Sequence, residues 1–121
     1  METQQTSPGS FLFKWHDSIQ NEGSFNSGMD DFPRINDATA HVDCQSWMAM
    51  FAEAMADISA SLEEDGAPYQ SDAWKIKKKL LENFVDPATN LTKDYSVKND
   101  KKVYSEYFGY PSVLPLAFGI L

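Results

Sequence analysis

The clearest pattern along the chain is a stripe of large apolar residues that repeats with the period of an α-helix. Between Trp47 and Leu62 these residues recur every three or four positions, and the acidic residues of the segment fall off the stripe. Gly66 and Pro68 then stop the helix. The stripe consists of Trp47, Phe51, Met55, Ile58 and Leu62. This spacing predicts an amphipathic helix with the stripe packed in the core.

A second helix is predicted over residues 71–84, because Ser71 or Asp72 is a suitable N-cap and Pro87 cannot continue a helix. The four lysines of this segment stand beside Glu82 and Asp86 and are expected to form a solvated face. Its expected buried side consists of Trp74, Ile76, Leu80, Leu81 and Phe84.

The remaining segments are shorter. Residues 11–15 are typical of a strand or a buried loop, and residues 90–97 are typical of an extended segment or a hairpin. Residues 109–112 predict a turn that leads into a last helix. The order helix, helix, short β excursion, helix predicts an all-α architecture in which paired helices pack face to face.

Composition limits the possible functions. A chain of 121 residues forms one domain, and its net charge of -8 argues against a nucleic-acid partner, which needs a basic surface. Cys44 is the only cysteine and there are two histidines, so no metal or other cofactor is expected. No apolar run reaches the ~20 residues that span a bilayer, and the N-terminus lacks a signal-peptide pattern. The last apolar segment stops within a helical pattern, so we expect a fragment of a longer protein.

The strongest candidate for chemistry is the acidic segment 27–34, Ser-Gly-Met-Asp-Asp-Phe-Pro-Arg. Glycoside hydrolysis requires one carboxylic acid that protonates the leaving oxygen and a second carboxylate that activates water or attacks. Asp30 or Asp31, beside apolar neighbours, is suited to be the acid. The same residues also fit an ordinary turn, in which Gly28 supplies a positive φ and Arg34 pairs with Asp31. Spacing alone favours the turn.

Residues 26–34 resemble the Ser-Gly-Leu-Asp-Asp-Tyr-Pro-Arg signature of the processing α-glucosidases, or mannosyl-oligosaccharide glucosidases, of glycoside hydrolase family 63. Three further segments resemble this family in the same order: Phe13-Lys14-Trp15, His41-Val42-Asp43, and the Gly-Tyr-Pro-Ser-Val-Leu-Pro-Leu run at 109–116. The resemblance covers residues 11–121 and leaves residues 1–10 as an unmatched or disordered segment.

The resemblance implies that residues 11–121 are part of an (α/α)6 barrel, an incomplete ring of helical hairpins. It implies that Asp30 is the general acid of an inverting α-glucosidase acting on the glucosylated N-glycan precursor. Asp31, Arg34 and Asp43 would then bind or brace the sugar. Phe32 and Trp15 are aromatic candidates for the same subsite, although a tryptophan such as Trp15 more often packs in a core.

Two departures from the family pattern affect this interpretation. Thr39 and Ala40 replace a Glu-Arg pair before His41, which puts the glucoside preference in doubt. The family's catalytic base lies beyond this segment, so the isolated chain is expected to be inactive and to need the remaining barrel helices. By resemblance, the enzyme would be membrane-anchored in the endoplasmic reticulum lumen. The alternatives are a related α-glucosidase with another glucoside substrate, and a non-catalytic helical interaction module.

Overall fold

The computed structural model describes residues 5–16, 27–28 and 38–121. Within these residues, three helices accompany two small antiparallel sheets of two strands each. The helices are α1 (Val42–Ser61), α2 (Ala67–Asn83) and α3 (Tyr110–Ala117), and the strands are β1 (Val85–Asp86), β2 (Leu91–Thr92), β3 (Tyr95–Lys98) and β4 (Lys101–Tyr104). The predicted all-α architecture, part of an (α/α)6 barrel, is therefore wrong, because the described chain is a mixture of α and β structure.

The hairpin between β3 and β4 explains part of this difference. Lys98 pairs with Lys101, so Asn99 and Asp100 alone form the turn. Their φ angles are 50° and 59°, as a two-residue type I′ hairpin turn requires. The extended segment predicted over residues 90–97 is confirmed in β2 and β3. Strand β4 was missed because its Lys-Lys start has low strand propensity.

Helices α1 and α2 pack through small side chains. Ala49 and Ala52 of α1 lie in one buried cluster with Ala73 and Ile76 of α2. At the connection between the helices, a Cβ atom on Gly66 would lie 2.8 Å from the carbonyl oxygen of Ala56. The small residues therefore let the two backbones approach closely on this face of α1.

The large apolar stripe of α1 does not lie on this packed face but is exposed, so the prediction that it packs in the core is wrong. Trp47 is 39% exposed, Phe51 48%, Ile58 51% and Leu62 68%. In α2, Ile76, Leu80 and Phe84 are buried as predicted, whereas Trp74 and Leu81 are exposed. Although these side chains face outward, no helix in the described part of the chain is long and apolar enough to cross a membrane.

A second core cluster joins the end of α2 to the hairpin. It consists of Ala40, Val42, Leu80, Phe84 and Tyr95. The rings of Phe84 and Tyr95 meet edge to face with centroids 5.1 Å apart, and the Lys102 ammonium lies 4.5 Å from the Tyr95 centroid. Burial, and to a lesser extent the neighbouring Tyr104, raises the pKa of Tyr95 to about 12.

This shift predicts a loss of stability in alkaline solution. The unfolded chain loses the Tyr95 proton near pH 10, whereas the folded chain keeps it until about pH 12, so folding becomes less favourable across this window. We expect the free energy of unfolding to fall by about 2–3 kcal/mol between pH 10 and 12. Urea denaturation at both pH values measures this fall, and Tyr95→Phe should remove most of it. An equal fall in Tyr95→Phe would contradict the assignment.

Candidate functional site

The predicted site residues divide into two groups. Asp30, Asp31, Phe32 and Arg34 lie outside the described residues, so their roles stay predictions. Trp15 and Asp43 lie within the described part of the chain, as does Gly28 of the signature. Gly28 has a φ of +70°, which confirms the positive φ predicted for it. A Cβ atom there would touch nothing within 4 Å, so the backbone conformation alone accounts for the glycine.

The two described segments that flank residues 17–37 meet at the N-terminal end of α1. The Lys14 ammonium donates a hydrogen bond to the carbonyl oxygen of Ala38 at 3.3 Å, and the backbone N–H of His41 donates to the carbonyl oxygen of Phe13 at 3.0 Å. The described residues before position 17 and after position 37 therefore meet at one place, beside His41 and Asp43. The signature with Asp30 lies between these two points in the sequence.

His41 fixes this junction through its side chain. Its ring is 3% exposed, and Nδ1 accepts a hydrogen bond from the backbone N–H of Trp15 at 3.0 Å. An Nδ1 atom that accepts cannot carry a proton, so the neutral ring holds its proton on Nε2. His41 is therefore a hydrogen-bonding brace at the start of α1.

Asp43 lies in the first turn of α1. Its side chain is 1% exposed, and Oδ1 accepts the backbone N–H of Cys44 at 2.9 Å. The helix N-terminus carries partial positive charge, which favours a carboxylate at this place. The described contacts thus give Asp43 a structural role at the helix start, and its contact with substrate stays a prediction.

Trp15 is half-buried and packs against the cluster that contains Phe13 and Cys44. Its indole Nε1 is buried and has no hydrogen-bond partner in the described part of the chain. Buried indole N–H groups usually find an acceptor. The structure therefore places Trp15 at the edge of the core, and stacking on a sugar remains a prediction.

Sequence reasoning missed two polar residues that position this junction. The Gln45 amide donates to the carbonyl oxygens of Phe11 and Ile76, both at 2.9 Å, and accepts the backbone N–H of Phe13 at 3.0 Å. A carboxylate oxygen of Asp94 accepts the backbone N–H of Val42 at 2.7 Å. For Gln45 there was a signal, because it lies four residues before the buried Ala49 on the same helix. For Asp94 there was none, because its hydrogen bond joins residues that are 52 positions apart in the sequence.

A further buried carboxylate, Asp86, is engaged in a turn. Its Oδ2 accepts hydrogen bonds from the Lys93 ammonium at 3.0 Å and the Thr89 hydroxyl at 2.9 Å, and its Oδ1 accepts the Ala88 N–H at 3.0 Å. The Lys93 hydrogen bond is the main reason why the pKa of Asp86 is lowered. Asp86 therefore stabilises the β1–β2 connection and is poorly placed to act as a catalytic base.

With this geometry in place, the chain can be compared with known families. The model of the glycosyl hydrolase family 63 C-terminal domain matches residues 1–109. The chain belongs to glycoside hydrolase family 63. This result supports a glycosidase by family, and the match includes the signature, His41 and Asp43. No curated protein matches the chain.

The junction of this family 63 chain predicts an effect of His41→Ala. Removing the ring leaves the Trp15 N–H without its acceptor, and an unsatisfied buried donor costs about 1–3 kcal/mol. We expect a comparable loss in unfolding free energy and faster hydrogen exchange of the Trp15 amide, measured by NMR. The exposed Lys101 is the control, because Lys101→Ala should change stability by less than about 0.5 kcal/mol. Unchanged Trp15 exchange in His41→Ala would contradict the brace.

Proposed function

We propose that this family 63 chain supplies the general acid of an inverting exo-α-glucosidase, which removes the terminal α-1,2-linked glucose from the glucosylated N-glycan precursor. Asp30 protonates the glycosidic oxygen as the bond to the anomeric carbon breaks. A second carboxylate, outside the residues assigned here, takes a proton from the water that attacks from the opposite face. The configuration at the anomeric carbon is thereby inverted.

The support combines family membership, the signature and the junction beside α1. A general acid must be held within hydrogen-bond reach of the leaving oxygen, so the segment that carries it needs fixed ends. Both flanks of residues 17–37 are tied together by the Lys14–Ala38 contact and by His41, which is bonded on both its backbone and its ring. These hydrogen bonds between the two flanking segments are the observation that supports the proposal.

The substrate contacts belong to the same proposal. Arg34 and Asp31 are suited to hydrogen bonding with sugar hydroxyls, Phe32 and Trp15 to stacking, and Asp43 to bracing the subsite. We further propose, from the resemblance alone, that the enzyme acts in the lumen of the endoplasmic reticulum as a membrane-anchored protein. A related glucoside is the alternative substrate, and comparing turnover of glucosylated N-glycan with that of simple α-glucosides separates the two.

The role of Asp30 is tested in the longer enzyme that contains this chain. Asp30→Asn removes the proton donor and keeps the side chain's shape, so kcat should fall by ~10²–10⁴-fold. Asp31→Asn is the matched control, because a residue that only binds the sugar should mainly raise KM. A kcat within about tenfold of the unmodified enzyme would rule out Asp30 as the general acid.

The apolar stripe of α1 supports the proposed partner, namely further helical segments of the same enzyme. Trp47, Phe51, Ile58 and Leu62 are all more than one-third exposed on one side of α1. Val113 and Leu116 of α3 are exposed as well, and α3 contacts α1 through the Trp47–Phe118 ring pair, with centroids 4.8 Å apart. Exposed apolar side chains grouped on one side of a helix are typical of an interaction site.

This partner predicts a small effect of Phe51→Gln in the isolated chain and a large one in the longer enzyme. In the 121-residue chain, Phe51→Gln should change stability by less than about 0.5 kcal/mol, because Phe51 is already half exposed. In the longer enzyme, where the stripe would be covered, the same change should cost about 3–5 kcal/mol. Thermal unfolding of both proteins measures the difference. Equal small effects in both would show that the stripe remains uncovered.

A further inference from the structure

A groove lies between α1 and α2, away from the junction at His41. Its volume is about 490 Å³, within the usual range of ligand sites. Its small residues are Ala56 and Ala73, which are both 4% exposed. It is also lined by Glu53, Asp57, Gln70, Trp74 and Lys77.

Trp74 gives this groove a flat apolar element. The side chain is 62% exposed, although large aromatic residues are usually buried in a core. The Lys78 ammonium lies 5.1 Å from its ring centroid, a cation–π contact that orients the indole at the surface. An indole held in this way can stack on the C–H face of a pyranose ring, because the ring face is negative and the C–H groups are weakly positive.

The polar groups of the groove are suited to sugar hydroxyls. In the described part of the chain, the Asp57 carboxylate and the Gln70 amide have no side-chain hydrogen bond, so both can exchange water for a ligand. A carboxylate accepts two hydroxyl protons, and an amide both donates and accepts. Glu53 and Lys77 form an ion pair with each other. Their charges therefore cancel locally, and Asp57 leaves the groove weakly acidic.

This groove is separate from the apolar stripe of α1. Glu53 follows Phe51 by two residues, which places it about 200° further around the helix. The groove combines Trp74 and two alanines with charged and amide groups, whereas the stripe consists of aliphatic and aromatic side chains. A covering helix on the stripe would therefore leave the groove accessible.

We propose that the groove between α1 and α2 binds a neutral oligosaccharide, which stacks on Trp74 and forms hydrogen bonds with Asp57 and Gln70. The chain's net charge of -8 and the acidic groove disfavour uronic acids and other anionic sugars. The site is non-catalytic and would hold a glycan chain on the surface of the protein. It does not depend on Asp30 or on the reaction proposed above.

Titration of the 15N-labelled 121-residue chain with maltotriose, cellotriose or trigalacturonic acid tests this site by NMR. We expect the Trp74 indole N–H and the Gln70 amide signals to shift and saturate with a neutral trisaccharide, with a Kd of about 1–10 mM. Trigalacturonic acid should bind at least about tenfold more weakly. The signals of the His41 junction should not move.

Variants locate the binding. Trp74→Ala should weaken binding at least about tenfold, and Asp57→Asn with Gln70→Ala should weaken it further. Trp47→Ala is the matched control, because Trp47 is also exposed but lies outside the groove. The proposal is overturned if no neutral sugar gives saturable shifts, if Trp47→Ala weakens binding as much as Trp74→Ala, or if the same signals move with protein concentration alone.

Discussion

The buried amide of Gln45 is the interaction on which the arrangement of the candidate site depends. Its Nε2 donates to Phe11 and Ile76, and its Oε1 accepts from Phe13. One side chain thus joins α1, α2 and the segment before the signature. These three parts can move relative to one another only if a buried polar group loses its hydrogen-bond partner, which costs about 1–3 kcal/mol. The contact of Phe13 with His41 is held in place by this constraint.

Helix α1 shows what hydrophobic periodicity can predict. The period of the stripe from Trp47 to Leu62 correctly predicted a helix, but the stripe lies on the exposed side of this chain. The buried side carries small residues such as Ala49 and Ala52, which have little hydrophobic signal each. They are buried because they let the backbone of the neighbouring segment approach α1 closely. The short distance between Gly66 and the Ala56 backbone is an example. Hydrophobic periodicity identifies the faces of a helix, whereas the segment that packs against the helix decides which face is buried.

Local signals predicted the turn at Gly28, the buried residues Ile76, Leu80 and Phe84, and the extended segment after Asn90. The apolar periodicity did not locate the start of α1 at Val42, whose N–H group is bonded by Asp94 from a distant part of the chain. The number of strands was underestimated for a related reason. Short strands depend on turns with positive φ and on partners that a single sequence does not identify. The site residues were predicted through the signature, which spacing alone did not distinguish from an ordinary turn.

The two positions that depart from the family pattern have a structural role in this chain. The Thr39 N–H donates to the carbonyl oxygen of Tyr95 at 2.8 Å, and its hydroxyl accepts the Val97 N–H at 3.0 Å. Ala40 is fully buried in the cluster with Phe84 and Tyr95, so an arginine there would have no room and no water. Strand β3 therefore docks where the family carries charged side chains. In this chain, Thr39 and Ala40 therefore both serve the packing of the β3–β4 hairpin against the segment before α1.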